Sequence, residues 1–160
     1  MDEEQGADVL RTALRDAESE SWSCRAAAGR QLAAIADQAE AAPVLERLLL
    51  DPHDTGVTQD TAEALLQRGD LVGLRTVLRA LSRAREACAA DQLDGEVFSR
   101  HNWMVADGRG DQFVRQLASL AADEDVGVRE EARQFLGERA ENAAPSAVRL
   151  QEGGPTDTSG

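Results

Sequence analysis

The chain has 160 residues, of which 42% are hydrophobic and only 3% aromatic, with no Tyr, and it carries a formal charge of −13 at pH 7. That length suits one domain with a sizeable core. The charge weighs against binding a phosphate backbone, which needs a cationic face. A hydrophobic set made mostly of Ala, Leu and Val favours closely packed helices over sheets, whose strands draw on β-branched and aromatic residues.

Residues 1–6 read as a frayed acidic leader. From Ala7 to Ala17, Val9, Leu10, Ala13 and Leu14 recur at helical spacing. Ser21 is placed to cap a second helix over residues 22–36, which is expected to bury Cys24, Ala28, Leu32 and Ile35. Pro43 fits a first helical turn, and Val44, Leu45, Leu48 and Leu49 stripe the helix that follows. Asp51-Pro52 breaks it, because the residue before proline is pushed out of helical geometry. Asp54 caps the next helix, which runs to Arg68 and stops at Gly69, a residue free to adopt the left-handed C-cap. Asp70 opens a longer helix that fades around 89–92, with Leu74, Val77, Leu78 and Leu81 inward and Arg75, Arg79, Arg83 and Arg85 mostly outward. Residues 91–96 read as a loop, and Asp94 as the cap of a helix burying Val97, His101 and Val105. Gly108 and Gly110 mark the next turn. Phe113, Leu117 and Leu120 stripe a further helix, and the last one follows Asp125 and ends near Ala140, which closes a domain over 7–140. Residues 141–160, rich in Ala, Pro, Ser, Gly and Thr, are read as a disordered tail.

The chain repeats itself. Asp54-Thr55-Gly56-Val57 is matched by Asp125-Val126-Gly127-Val128, and the same inward offsets follow: Thr61 and Leu65 in one, Ala132 and Leu136 in the other. A copy upstream places Cys24, Ala28 and Leu32 behind Ser21. Anchors at Cys24, Val57, Val97 and Val128 are 33, 40 and 31 residues apart, a period typical of α-solenoids with two helices per unit. The expected fold is all-α, a short right-handed solenoid of about four helix pairs.

The stretch DEDVGVREEARQFLG resembles the second half of a HEAT repeat, in which an Asp-led turn precedes V-R-x-x-A on the inner helix. Arg25 and Arg129 follow their anchors as that pattern requires, whereas Thr58 and Phe98 depart from it. Residues 48–81 also look like short HEAT-repeat proteins of Streptomyces-type actinobacteria. A GC-rich source agrees with a basic set made wholly of Arg, 17 residues with no Lys. The resemblance covers most of 7–140 and implies a fold more than an activity.

In a HEAT-like stack the second helices line the concave face. Their outward positions hold Gln59, Asp60 and Glu63 in the second repeat, Arg100 and Trp103 in the third, and Glu130, Glu131 and Gln134 in the fourth. That face is read as an acidic groove for a protein partner, basic by charge complementarity, with Trp103 as an anchor. The other register packs Phe98 and Trp103 against helix 70–90. No G-x-S-x-G, P-loop or H-E-x-x-H motif occurs, so the expectation is a non-enzymatic adaptor without cofactor or metal. A more pointed form is an immunity or antitoxin-type inhibitor of a basic toxin. Enzymes of the glycosylase or bilin-lyase type share HEAT-like folds but find no supporting residues here. His53, beside Asp51 and Asp54, is read as part of a capped turn, and Cys24 and Cys88 as small buried residues. The first residues carry no basic, apolar leader and no span is long enough for a membrane, which points to the cytoplasm.

Overall fold

The computed structural model describes residues 2–143, which form eight helices and no strand. They are α1 (Asp2–Asp16), α2 (Trp22–Ala34), α3 (Ala41–Leu49), α4 (Thr55–Gln67), α5 (Leu71–Arg83), α6 (Ala87–Ala106), α7 (Gly110–Leu120) and α8 (Val126–Ala143). The helices α2, α4 and α6 lie side by side as one layer, and α1, α3 and α5 make the layer behind it. At the C-terminal end this alternation changes, because α8 packs chiefly on α5 and α7. The core between the layers is aliphatic, with Leu32, Leu45, Leu65, Leu78 and Val97 fully buried.

The helix boundaries around α4 follow from local chemistry. The Asp54 carboxylate accepts the Gly56 N–H at 2.7 Å, and the Asp70 carboxylate accepts the Gly73 N–H at 2.9 Å, so each fills an orphan donor of a first turn. Gly69 adopts φ +71°, the left-handed geometry that ends α4. Asp125 caps α8 through Val128 N–H at 3.2 Å. Ser21 occupies the N-cap of α2, but its hydroxyl pairs with Ser23 at 2.9 Å and caps nothing.

Four sequence expectations are corrected. First, α1 begins at Asp2, so most of the expected leader is helix, and α8 runs to Ala143; residues 144–160 of the expected tail lie outside the described residues. Second, α5 ends at Arg83, followed by an extended break at Ala84 and Glu86, and residues 91–96 are helical. Asp94 and Gly95 therefore sit inside α6. A glycine within a helix costs about 1 kcal/mol, but burying Leu93 contributes about 2 kcal/mol, and the continuous helix also buries Ala89, Val97 and Met104. Third, this register leaves Val105 half exposed and His101 only partly buried. Fourth, Cys24 and Cys88 are exposed. Cys24 differs in this from its counterparts Val57 and Val128, both 0% exposed.

Arginines tie the turns together. Arg25 donates to the Ser19 and Glu20 carbonyls, both at 2.9 Å, and to Asp51 at 2.7 and 3.3 Å. Arg129 reaches back the same six residues to the Asp123 carbonyl at 3.0 Å. The outward arginines of α5 are also spoken for: Arg75 grips Asp123, Arg83 grips Glu46, and Arg79 lies between Glu46 and Asp125. Arg68 donates to the last carbonyls of α2, Ala33 and Ala34, and to the cap Asp70.

Candidate functional site

The α2–α4–α6 layer presents a cavity of about 700 Å³ between α4, α6 and the turns that follow them. From α4 come Glu63, Leu66 and Gln67. The helix α6 contributes Glu96, Ser99, Arg100 and Trp103, one stripe at helical spacing. Arg68 and Gly69 close one wall, and Arg109 and Gln112 another. The Gly69 carbonyl is fixed by Gln116 of α7 at 2.6 Å, which ties the first wall to the second.

Trp103 is 50% exposed at the rim, so the register that buries it against α5 does not hold. Phe98 packs instead on Phe135 of α8, with ring centroids 5.0 Å apart. Two guanidinium groups bear on the Trp103 ring, Arg100 at 4.6 Å and Arg109 at 5.2 Å from its centroid. Arg109 is also paired with Asp107 at 2.6 Å. No carboxylate lies within ion-pair distance of Arg100 among the described residues, and its Nε is buried without a hydrogen-bond partner. Burial, and then the like charge of Arg109, lowers the pKa of Arg100, and the charge of Asp107 opposes this in part.

At the other end of the cavity, burial raises the Glu96 carboxyl above its ordinary range, and the charges of Glu63 and Asp60 add to this. Gln92 donates to Glu96 at 3.0 Å and opposes the rise in part. The cavity thus has a carboxylate end and a guanidinium end.

The residues proposed from sequence divide into two groups. Glu63, Arg100 and Trp103 meet at the cavity. Asp60 is beside it and ion-paired with Arg30, while Gln59 is exposed on α4. Glu130, Glu131 and Gln134 belong elsewhere, on α8. There the Glu131 carboxyl is raised by burial and then by Asp94, Glu130 and Glu138, and Gln134 donates to Glu138 at 3.1 Å. Around the expected Arg100 and Trp103 pair the cavity has mixed charge, with Arg68 and Arg109 beside Glu63 and Glu96. Ser99, which the repeat alignment places beside Arg100 in the third repeat, also lines the cavity, whereas Arg109, Glu96 and Gln112 escape that alignment: Arg109 and Gln112 belong to a turn and its following helix, and Glu96 to the expected loop. His53 is exposed in its turn, where its N–H donates to Asp51 at 2.9 Å.

Among the described residues no cluster of three or more His, Cys, Asp or Glu side chains is arranged to hold a metal ion. No helix among them is long and apolar enough to cross a membrane. No protein-family model, curated protein or solved structure matches the chain.

The perturbed carboxyls make a pH prediction with two arms. Asp123 is held below its ordinary value by Arg75, and Asp70 by Arg68; burial pushes Asp51 up, but Arg25 and the His53 and Asp54 amides more than reverse it. A depressed carboxyl contributes stability above its unfolded value of about 4, which is lost as pH falls through the folded value. Asp94, Glu96 and Glu131 are raised, so they oppose folding at neutral pH and stop doing so as they protonate. Thermal midpoints are expected to rise slightly from pH 7 toward about 5 and to fall steeply below about 4. Asp123→Asn should lower the midpoint at pH 7 and flatten the acid fall; an unaltered acid limb would show that Asp123 is not one of the groups responsible.

Proposed function

We propose that this chain is a non-catalytic HEAT-type α-solenoid adaptor of the cytoplasm, binding a protein partner across the α4–α6 face. The observation that carries the reading is Trp103: a large aromatic, half exposed at a cavity rim, with two arginines set against it. Trp and Arg are the residue types that most often dominate binding energy, because they desolvate large areas at small entropic cost. The solenoid reading is supported by the alternation of helices between two layers and by Arg25 and Arg129, which bind their turns at the same offset. The packing of α8 on α5 departs from a uniform stack. Two exposed unpaired thiols, Cys24 and Cys88, suit a reducing compartment.

Trp103→Ala is expected to weaken the affinity for a partner captured from the native host by about thirtyfold, the loss of a hot spot of about 2 kcal/mol. Titration of the purified partner against wild type and variant measures it, with circular dichroism to confirm that the exposed substitution leaves the helices intact. Unchanged affinity would rule out this face as the binding surface.

A further inference from the structure

The cavity holds two charges of opposite sign that the chain does not neutralise. Glu96 and Arg100 are four residues apart on α6, an order and spacing that favours a salt bridge on a helix, yet neither pairs with the other. Glu96 accepts from Gln92 and faces the like charge of Glu63; Arg100 lies over Trp103 beside the like charge of Arg109. Each end is thus half-buried and crowded by its own sign. Asp107, the nearby carboxylate at the guanidinium end, is paired to Arg109, and among the described residues neither Arg100 nor Glu96 makes an ion pair itself, an arrangement that a matching ligand relieves at both ends at once. A phosphate alone would satisfy the guanidinium end and meet Glu63 and Glu96 at the other. An isolated cation would do the reverse.

The ends are about 6 Å apart along the axis of α6, four residues at 1.5 Å each. In an extended peptide, residues i and i+2 point the same way and are about 6.6 Å apart. We propose that the α4–α6 cavity is a dipolar peptide site, taking a basic side chain at Glu63 and Glu96 and, two residues along an extended strand, a carboxylate at Arg100 and Arg109. Trp103 covers the carboxylate end and packs on the stem between. This rests on the reading of the same face as the partner surface and names what the partner presents.

The test uses the full chain carrying Trp22→Phe, which leaves Trp103 as its one indole. Capped five-residue peptides with Arg-Ala-Asp, Arg-Ala-Asn or Gln-Ala-Asp at their centre, and inorganic phosphate, are titrated while Trp103 emission is followed. The Arg-Ala-Asp peptide should give a saturable change with a Kd at least tenfold below that of either singly charged peptide. Glu96→Gln and Arg100→Gln, each folded by circular dichroism, should reduce it to the singly charged level. Equal binding of all three peptides, binding of Gln-Ala-Asp or phosphate as tight as that of Arg-Ala-Asp, or no saturable response at all would overturn the proposal. The partner separates its failure from that of the surface: an affinity lost with Trp103→Ala but untouched by Glu96→Gln and Arg100→Gln sinks the dipolar site alone. An affinity indifferent to all three sinks both.

Discussion

Arg25→Ala is expected to destabilise the protein by about 3–5 kcal/mol, the range for removing one partner of a buried ion pair. The guanidinium of Arg25 and the carboxylate of Asp51 are 10% and 5% exposed at the floor of a surface cleft, so water replaces either only in part. Removal of Arg25 leaves Asp51 as a buried charge and strips the Ser19 and Glu20 carbonyls of their donor. Asp51 has a second duty that a neutral substitute could share, accepting the His53 and Asp54 amides at 2.9 and 3.0 Å. Asp51→Asn should therefore cost less than Arg25→Ala, because it keeps the turn, and the guanidinium left without a counter-ion still donates to the Ser19 and Glu20 carbonyls. Arg25→Lys should fall between wild type and alanine, since an ammonium lacks the planar fork that reaches carboxylate and carbonyls together. Total stabilities of domains are about 5–15 kcal/mol, so the alanine variant loses a large fraction of the whole. At this chain length the thermal midpoint should fall by about 6–20 °C. A loss below about 1 kcal/mol in urea unfolding would mean that the pair behaves as a hydrated surface contact.

The ion pair also shows what the sequence made legible. Asp54, Gly69 and Asp70 were readable because capping is local: a carboxylate two or three residues before an amide, or a glycine after the last helical turn. The partner of Arg25 was not readable, since Asp51 lies 26 residues away and is met only when α2 and the α3–α4 turn pack together. The error at 91–96 has the opposite origin. Asp94-Gly95 is a strong local breaker, and tertiary burial of Leu93 and Val97 overrode it. That single error conceals Glu96, which only a continuous α6 aligns with Ser99, Arg100 and Trp103 on one stripe. Glu63, Arg100 and Trp103 were still found, since their offsets from Val57 and Val97 do not depend on where α6 begins. Glu130, Glu131 and Gln134 share that groove only if the stack is uniform, and α8 packs chiefly on α5 and α7 instead.

Gly73→Ala and Gly29→Ala form the second pair of expected results, alike in the clash they create and unlike in whether it can be relieved. A Cβ at Gly73 would lie 2.1 Å from the Leu65 carbonyl oxygen, and one at Gly29 would lie 2.1 Å from the Thr61 hydroxyl. Alanine gains up to about 1 kcal/mol of helix propensity at each position, while overpacking a close contact costs about 1–3 kcal/mol and at times more. For Gly73 the obstacle is backbone, so α5 must withdraw from α4, and a net loss of about 2 kcal/mol is expected. No side-chain change can rescue it. For Gly29 the obstacle is the end of a side chain whose Oγ1 is already buried without a partner. Thr61→Ala removes that oxygen and the methyl and leaves only its own Cβ, 3.0 Å away, to shift by a few tenths of an ångström, so the double variant should recover about 1 kcal/mol relative to the sum of the singles. The two glycines also differ in their reach. Gly73 sets the approach of α5 to α4, and the turn between them, Arg68 and Gly69, is a wall of the cavity. Gly73→Ala should therefore weaken the binding of partner or peptide as well as stability, whereas Gly29, between α2 and α4, should affect stability alone. If Gly73→Ala melts at or above wild type, helix propensity has outweighed the contact, and the two helices do not approach as closely as the 2.1 Å separation requires.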